Sequence, residues 1–407
     1  MPHDAVELMA DAADPQIESA DAVIGIVPQV RDGHAIEATI ARMIESTLPL
    51  KIALVHPPYT PNQSGALNPG PQWHLIPNPQ LVQDPSSLAQ SLGESYRTIF
   101  EIAQKLGAKA CAVAASDLSG TTVDWVSLLL RPIVDEQFDL VAPCYASQPF
   151  EGMINRAIVY PLVRALYGKR IRNPLGPDFG ASDRLLQRII DGPKARVHSF
   201  PSFAAEAIAN GMSLCQSHLG PRTYALPDVT NLSSLLAQVL GPVFLDVERY
   251  AALWQRARGS LAIAEFGRQM FIPRPESTVD VTRLVDSFQL GAKNLMEIWS
   301  IILPPSTLVE LRKLARNGAA AFRMPDVTWA HVVYDFALAY RLRTINRDQM
   351  LRALTPIYLG WVASYATELE NATPEAVEER LEKLCLVYEE TKAYFVSRWR
   401  WPDRFNP

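Results

Sequence analysis

From Asp21 to about Ser217 the sequence alternates short apolar runs with amphipathic segments, and few architectures accept that alternation. The runs AVIGIV (22–27) and KIALVH (51–56) are β-branched and short, which predicts strands. Between them, AIEATIARMIEST places Ile36, Ile40, Met43 and Ile44 on one helical face. Residues 57–85 are rich in Pro, Asn, Gln and Gly and predict a long loop, with room for a strand at WHLIP. SLAQSLGESYRTIFEIAQKLG (87–107) predicts a helix stopped by Gly107. KACAVAA and FDLVAPCY are two further buried runs, and they bracket the helical stretch TVDWVSLLLRPIVDE. Strands alternating with helices imply a largely parallel sheet covered on both faces, with ligands beyond the carboxyl ends of its strands.

From about Leu232 the period changes. SLLAQVLGPVFLDVERYAALW, VTRLVDSFQLGAKNLMEIWSIIL, WAHVVYDFALAYRLR and EAVEERLEKLCLVYEETKAYFVSRW all carry helical spacing, with almost no strand pattern. The expected organisation is a disordered tail over 1–20, an α/β domain over 21–230 and a helical domain over 231–407. A chain of 407 residues suits two cores better than one. The terminal RWRWPDRFNP is expected to dock as a last turn on the helical part.

Composition removes several classes of function. A formal net charge of −5 leaves no basic footprint for nucleic acid. Cys111, Cys144, Cys215 and Cys385 form no CxxC pair, which argues against zinc and a disulfide framework and suits a cytoplasmic location. No apolar run reaches the roughly 18 residues that span a bilayer. His34, His56, His198 and His218 fit no ligand spacing, and no Gly-x-Ser-x-Gly elbow occurs.

The most distinctive polar feature is a lone acid, Asp117, between the buried run CAVAA and the helical stretch that follows. It is either a ligand-holding carboxylate or a helix cap. The blocks SDLSGTTVDWVSLLLRPIV, FDLVAPCY, NRAIVYPLVRALYGKRIRNPLGPDFGAS, SLCQSHLGP and VVYDFALAYRLRTINRDQMLRALTPIYLGWVASY occur in this order. Together they resemble the GT-A glycosyltransferases of the mannosylglycerate synthase and glucosyl-3-phosphoglycerate synthase kind, from about Ile24 to Tyr365. The resemblance implies a GT-A fold (Rossmann-like α/β) with a helical C-terminal domain. It also implies sugar transfer, with retention, from a nucleotide-sugar to a small acceptor, and a possible homodimer through the helical domain. A divalent metal, Mn or Mg, held by Asp-x-Asp would neutralise the leaving diphosphate.

Residue by residue, the implied site is eroded. The Asp-x-Asp positions read Ala115-Ser116-Asp117, so one acid is missing and metal binding should be weak. Donor contacts fall on Ser116, Asp117, Gly176 and Asp178, with Asp117 as the metal ligand. Asp178 either binds sugar hydroxyls or braces its Gly-rich turn. A family Lys is Leu92, a family acid is Ser202, and a metal-ligating His is Tyr224. Glu206 is a conceivable substitute for the acid lost at Ser202. Acceptor contacts fall on Ser147, Gln148 and Asn155. An Arg-His pair is replaced by Ser147 and Gln148, so a neutral acceptor is expected unless Arg170 or Arg172 supplies charge. The alternative is a catalytically silent glycosyltransferase-like protein that binds a ligand or a partner.

Overall fold

The computed structural model describes residues 17–27, 33–59, 67, 69–81, 88–114, 120–192, 200–222, 232–270, 272 and 279–402. Eight strands form one sheet: β1 (Ala22–Ile26), β2 (Ile52–His56), β3 (Trp73–Pro77), β4 (Ala110–Ala114), β5 (Leu140–Ala146), β6 (Phe179–Ser182), β7 (Leu214–Pro221) and β8 (Ala264–Phe266). Their order is β3-β2-β1-β4-β6-β5-β7-β8. All pairings are parallel except those of β6, which runs antiparallel to both β4 and β5.

The α/β part carries α1 (Gly33–Ile44), α2 (Leu88–Lys105), α3 (Asp124–Val134), α4 (Tyr160–Tyr167), α5 (Asp183–Ile190) and α6 (Phe200–Ala209). β1, β2 and β4 are buried along their whole length, as a sheet covered on both faces requires. One face packs Ile36, Ile40 and Met43 of α1 and Trp125, Leu129 and Ile133 of α3 against Ile24, Leu54 and Ala112. The other face packs Tyr96, Phe100 and Ala103 of α2, Leu185 and Ile189 of α5, and Phe203 of α6 against Val23, Val55 and Val113. Successive strand residues point to opposite faces, so each strand serves both layers.

β6 and β8 depart from the sequence expectation. β6 lies inside PLGPDFGAS, which reads as a turn, and at Gly180 a Cβ would stand 2.3 Å from the Leu129 carbonyl of α3. Only glycine lets that strand slide between β4 and β5 beneath α3. β8 is three residues in a stretch that reads as helical, and it closes the sheet edge on β7.

The C-terminal part holds α7 (Leu232–Arg249), α8 (Ala251–Trp254), α9 (Val281–Asn294), α10 (Met296–Ile302), α11 (Pro305–Leu314), α12 (Asp326–Leu342), α13 (Arg347–Ala353), α14 (Thr355–Glu368) and α15 (Pro374–Arg400). Their core is continuous with Met153–Tyr167, so α4 packs with the helices rather than with the sheet layers alone. Just before α4, Asn155–Val159 makes a turn of π-helix. The Ala157 carbonyl there accepts from Trp329 Nε1 at 2.8 Å and Tyr388 OH at 3.0 Å.

Of the expected docking tail, residues 403–407 lie outside the described residues, and only part of the rest packs down. Trp399 is buried against Trp254 and Phe395, whereas Trp401 is 70% exposed. All four cysteine thiols are buried and free. Among the described residues no helix is long and apolar enough to cross a membrane.

Candidate functional site

β1 has β2 on one side and β4 on the other, so the chain leaves the sheet in opposite directions at their carboxyl ends. Crevices of that kind receive ligands in open α/β sheets. Ala115, Ser116 and Asp117 follow β4 and lie outside the described residues, as does Tyr224. The side chains of Leu92 and Ser202 are outside them too. The helix-cap alternative for Asp117 fails for α3, which begins at Asp124 with Val123 in the cap position. Gly120 marks where that loop re-emerges. A Cβ there would stand 3.2 Å from the Pro221 carbonyl and 3.5 Å from Arg222 Nη1. Gly120 and the end of β7 therefore lie against each other.

The reversal of β6 brings Asp178, just before it, beside the end of β5. Tyr145 OH donates to Asp178 Oδ2 at 2.5 Å. Arg222 Nη2 lies 3.3 Å from the same oxygen, with the two side chains 5% and 1% exposed. Arg222 is placed by its backbone N–H, which donates to the Ala146 carbonyl at 2.8 Å, and its guanidinium sits 5.3 Å from the Tyr145 ring centre. Asp178 thus braces β5 and β7 through Tyr145 and Arg222. Gly176 has a similar structural demand: a Cβ there would stand 2.1 Å from Pro143 Cγ of β5.

Next to this lies a second polar group. Ser147 Oγ accepts from Arg156 Nη2 at 3.0 Å. The sequence reading named Arg170 and Arg172 as sources of charge near Ser147 and Gln148; the guanidinium that meets Ser147 is that of Arg156. Arg156 was legible only as part of a helical segment, because the π-turn that aims it at β5 leaves no pattern in the sequence. Gln148 donates its backbone N–H to Glu151 Oε2 at 2.9 Å. Asn155 Nδ2 donates to the Arg172 carbonyl at 2.9 Å. Arg172 pairs with Glu378 of α15, whose Oε1 also lies 3.9 Å from Arg156 Nη1. Arg170 turns away and donates to Ser260 Oγ at 3.1 Å.

A relay along β7 completes the group. Gln216 Oε1 accepts the Arg172 backbone N–H at 3.0 Å, and its Nε2 donates to Glu265 Oε1 at 2.6 Å. Glu265 Oε2 meets His218 Nε2 at 3.0 Å. Burial pushes the Glu265 carboxyl up, but His218 and Gln216 outweigh it and hold the carboxyl below its usual range. Neither Glu265 nor Glu378 was found from sequence, since both come from the segment beyond 231.

The described residues here do not suit a divalent cation, and the expected ligand, Asp117, lies outside them. Each described carboxylate here is already engaged: Asp178 by Arg222, Glu378 by Arg172, Glu265 by His218 and Gln216. The described residues hold no cluster of three metal-type side chains, and position 115 is Ala. Glu206 offers no substitute. It is buried and accepts from Arg188 Nε at 2.8 Å, from Asn210 Nδ2 at 3.0 Å and from Tyr250 OH.

No family model and no curated protein matches the sequence. Among solved structures the chain is similar to glucosyl-3-phosphoglycerate synthase from Mycobacterium tuberculosis in several complexes. With Mn2+, UDP and glucosyl-3-phosphoglycerate the identity is 14%, over 55% of this chain and 80% of that one, at a TM-score of 0.37. With Mg2+ and UDP the figures are 14%, 55%, 79% and 0.37. With UDP they are 16%, 57%, 80% and 0.38. The likeness is distant and concerns fold.

Proposed function

We propose that this chain is a divergent glycosyltransferase, moving a sugar from a nucleotide-sugar donor to a small hydroxyl-bearing acceptor without dependence on a bound metal. The observation that carries this reading is the gathering of fixed cations at the carboxyl ends of β5 and β7. Arg222 faces Gly120, Arg156 meets Ser147, and Arg172 joins them through Glu378. The departing diphosphate of a nucleotide-sugar gains negative charge in the transition state, and a preorganised guanidinium stabilises such charge. Arg222 is the group for that role, since its Nη1 lies toward Gly120 while its Nη2 is held by Asp178. The hydroxyl and amide groups of Ser147, Gln148 and Asn155 would orient the acceptor.

The five sequence blocks that occur in order support the same reading. A second reading is favoured by Ala115 and by the pairing of every described carboxylate: a silent member that keeps the donor cleft and has lost transfer. One experiment separates them. Purified protein is melted with a panel of nucleotide-sugars, with EDTA and with manganese, because a ligand of the native state raises the melting temperature. The donor that shifts it is then offered with glycerol in a transfer assay. A shift with EDTA present, followed by product, supports the transferase. A shift without product supports the silent binder, and no shift with any nucleotide-sugar refutes both.

A further inference from the structure

Among the C-terminal helices a cavity of about 330 Å3 opens between the start of α12, the end of α14 and the first turns of α15. That volume falls at the lower end of the range for small-ligand pockets. Its charged lining is Arg323, Asp326, Glu368, Arg380 and Lys383, with Met324 beside them.

Both acids of this lining are spent on one base. Arg380 donates from Nη1 to Asp326 Oδ2 at 2.8 Å and from Nη2 to Asp326 Oδ1 at 2.9 Å, and its Nε meets Glu368. Trp361 Nε1 donates to Asp326 Oδ1 as well, at 3.0 Å. The other two bases are exposed, and neither forms an ion pair among the described residues. Arg323 is anchored at one end only: its Nη1 donates to the Phe322 carbonyl at 2.7 Å and to that of Ala320 at 3.4 Å. Its Nε and Nη2 have no partner among the described residues. Those two N–H groups are the parallel pair with which a guanidinium grips a carboxylate or phosphate. Lys383 adds a compact point charge, the form in which lysine meets phosphate. Asp326 already answers the dipole of α12, so the cavity and its two cations, not the helix end, attract an anion.

We propose that this cavity is a second ligand site, borne wholly by residues 323–383, and that it takes a small phosphate monoester. Arg323 grips two phosphate oxygens through Nε and Nη2, and Lys383 meets the same group. Two cations suit the near-double charge of a phosphate at neutral pH better than the single charge of a carboxylate. Arg380 keeps its own acids and holds the wall in shape. Nothing in this proposal uses the transferase reading.

The test is calorimetry on the full chain at low salt and neutral pH, with inorganic phosphate, glycerol 1-phosphate and acetate as probes. Both phosphates should bind, and acetate should bind more weakly. Arg323→Gln should weaken phosphate binding about tenfold, through loss of the paired bonds and a charge. Arg323→Lys keeps the charge without the fork, so its affinity should fall between the two. Lys383→Gln should weaken binding about threefold, since one mobile exposed charge is lost. Lys313→Gln, on α11 and paired with Glu310, should change nothing. Because the Arg323 and Lys383 side chains are exposed, these variants should melt like wild type. No heat with either phosphate overturns the proposal. So does an affinity that survives Arg323→Gln combined with Lys383→Gln, which would put the phosphate elsewhere, or acetate bound as tightly as phosphate. No nucleotide-sugar enters the experiment, so its failure is distinct from failure of transfer.

Discussion

Arg222 and Asp178 form an ion pair 3.3 Å apart, almost wholly shut off from water, that ties the end of β7 to the entry of β6. A buried pair tolerates loss of one partner poorly, because the other charge is left uncompensated. Asp178→Ala should therefore cost about 3–5 kcal/mol in urea unfolding. A loss below about 1 kcal/mol, the value of an exposed pair, would show that the carboxylate is free to serve a ligand instead.

Manganese should leave the melting temperature of the wild-type protein unchanged, since the described carboxylates around the cleft are neutralised by their own partners. Ala115→Asp restores a second acid two positions before Asp117. A manganese-dependent rise in that variant alone is the expected outcome. A rise in wild type would overturn the proposed independence from metal.

Phe179, the first residue of β6, is fully buried among Tyr96, Phe100 and Phe203, with ring centres 5.4, 6.1 and 5.3 Å away. Truncation to Ala removes the shared ring of that cluster and should cost about 3–5 kcal/mol. Thermal and urea melts read it directly. A cost near zero would mean that α2 and α6 close over the gap.

Lys392 of α15 carries a pH signature. Its buried ammonium donates to the carbonyls of Leu166 at 3.2 Å and Ala257 at 2.7 Å. Burial lowers its pKa from 10.5 to about 8, and Glu389 only partly opposes this. Between those values the unfolded chain holds a proton that the folded chain has shed. The unfolded state then binds more protons, so stability rises with pH across that window. Below about 8 both states are protonated and the burial cost is fully present. The pH dependence of unfolding in wild type, minus that in Lys392→Met, should show this rise. A flat difference would refute it.

How much of this was legible in the sequence depends on the range of the interaction. β1, β2, β4 and β5 were legible because a strand buried on both faces must be apolar throughout. β6 was not, because FGAS is short and small, and its place between β4 and β5 depends on the bare Gly180 beneath Leu129. β8 was hidden by brevity. At the site, Ser147, Asn155 and Asp178 could be singled out, but their partners could not. Arg156 is aimed by a π-turn, Arg222 by a bond to Ala146, and Glu378 arrives from a helix 206 positions away from Arg172. Pairings across such a span have no local pattern to betray them.

The ladder of acids on α15 also bears on how the chain is made. Arg164 of α4 is 0% exposed, and its partners are Glu382 at 2.5 Å and Glu389 at 2.6 Å. They lie 218 and 225 positions downstream. A ribosome therefore releases the α/β half of the molecule long before the carboxylates that neutralise this guanidinium exist. Until the last helix emerges, α4 carries a charge that it cannot bury and an apolar face with nothing to cover it. That face of α4 must wait, open to chaperones and to neighbouring chains, for the final helix to close it.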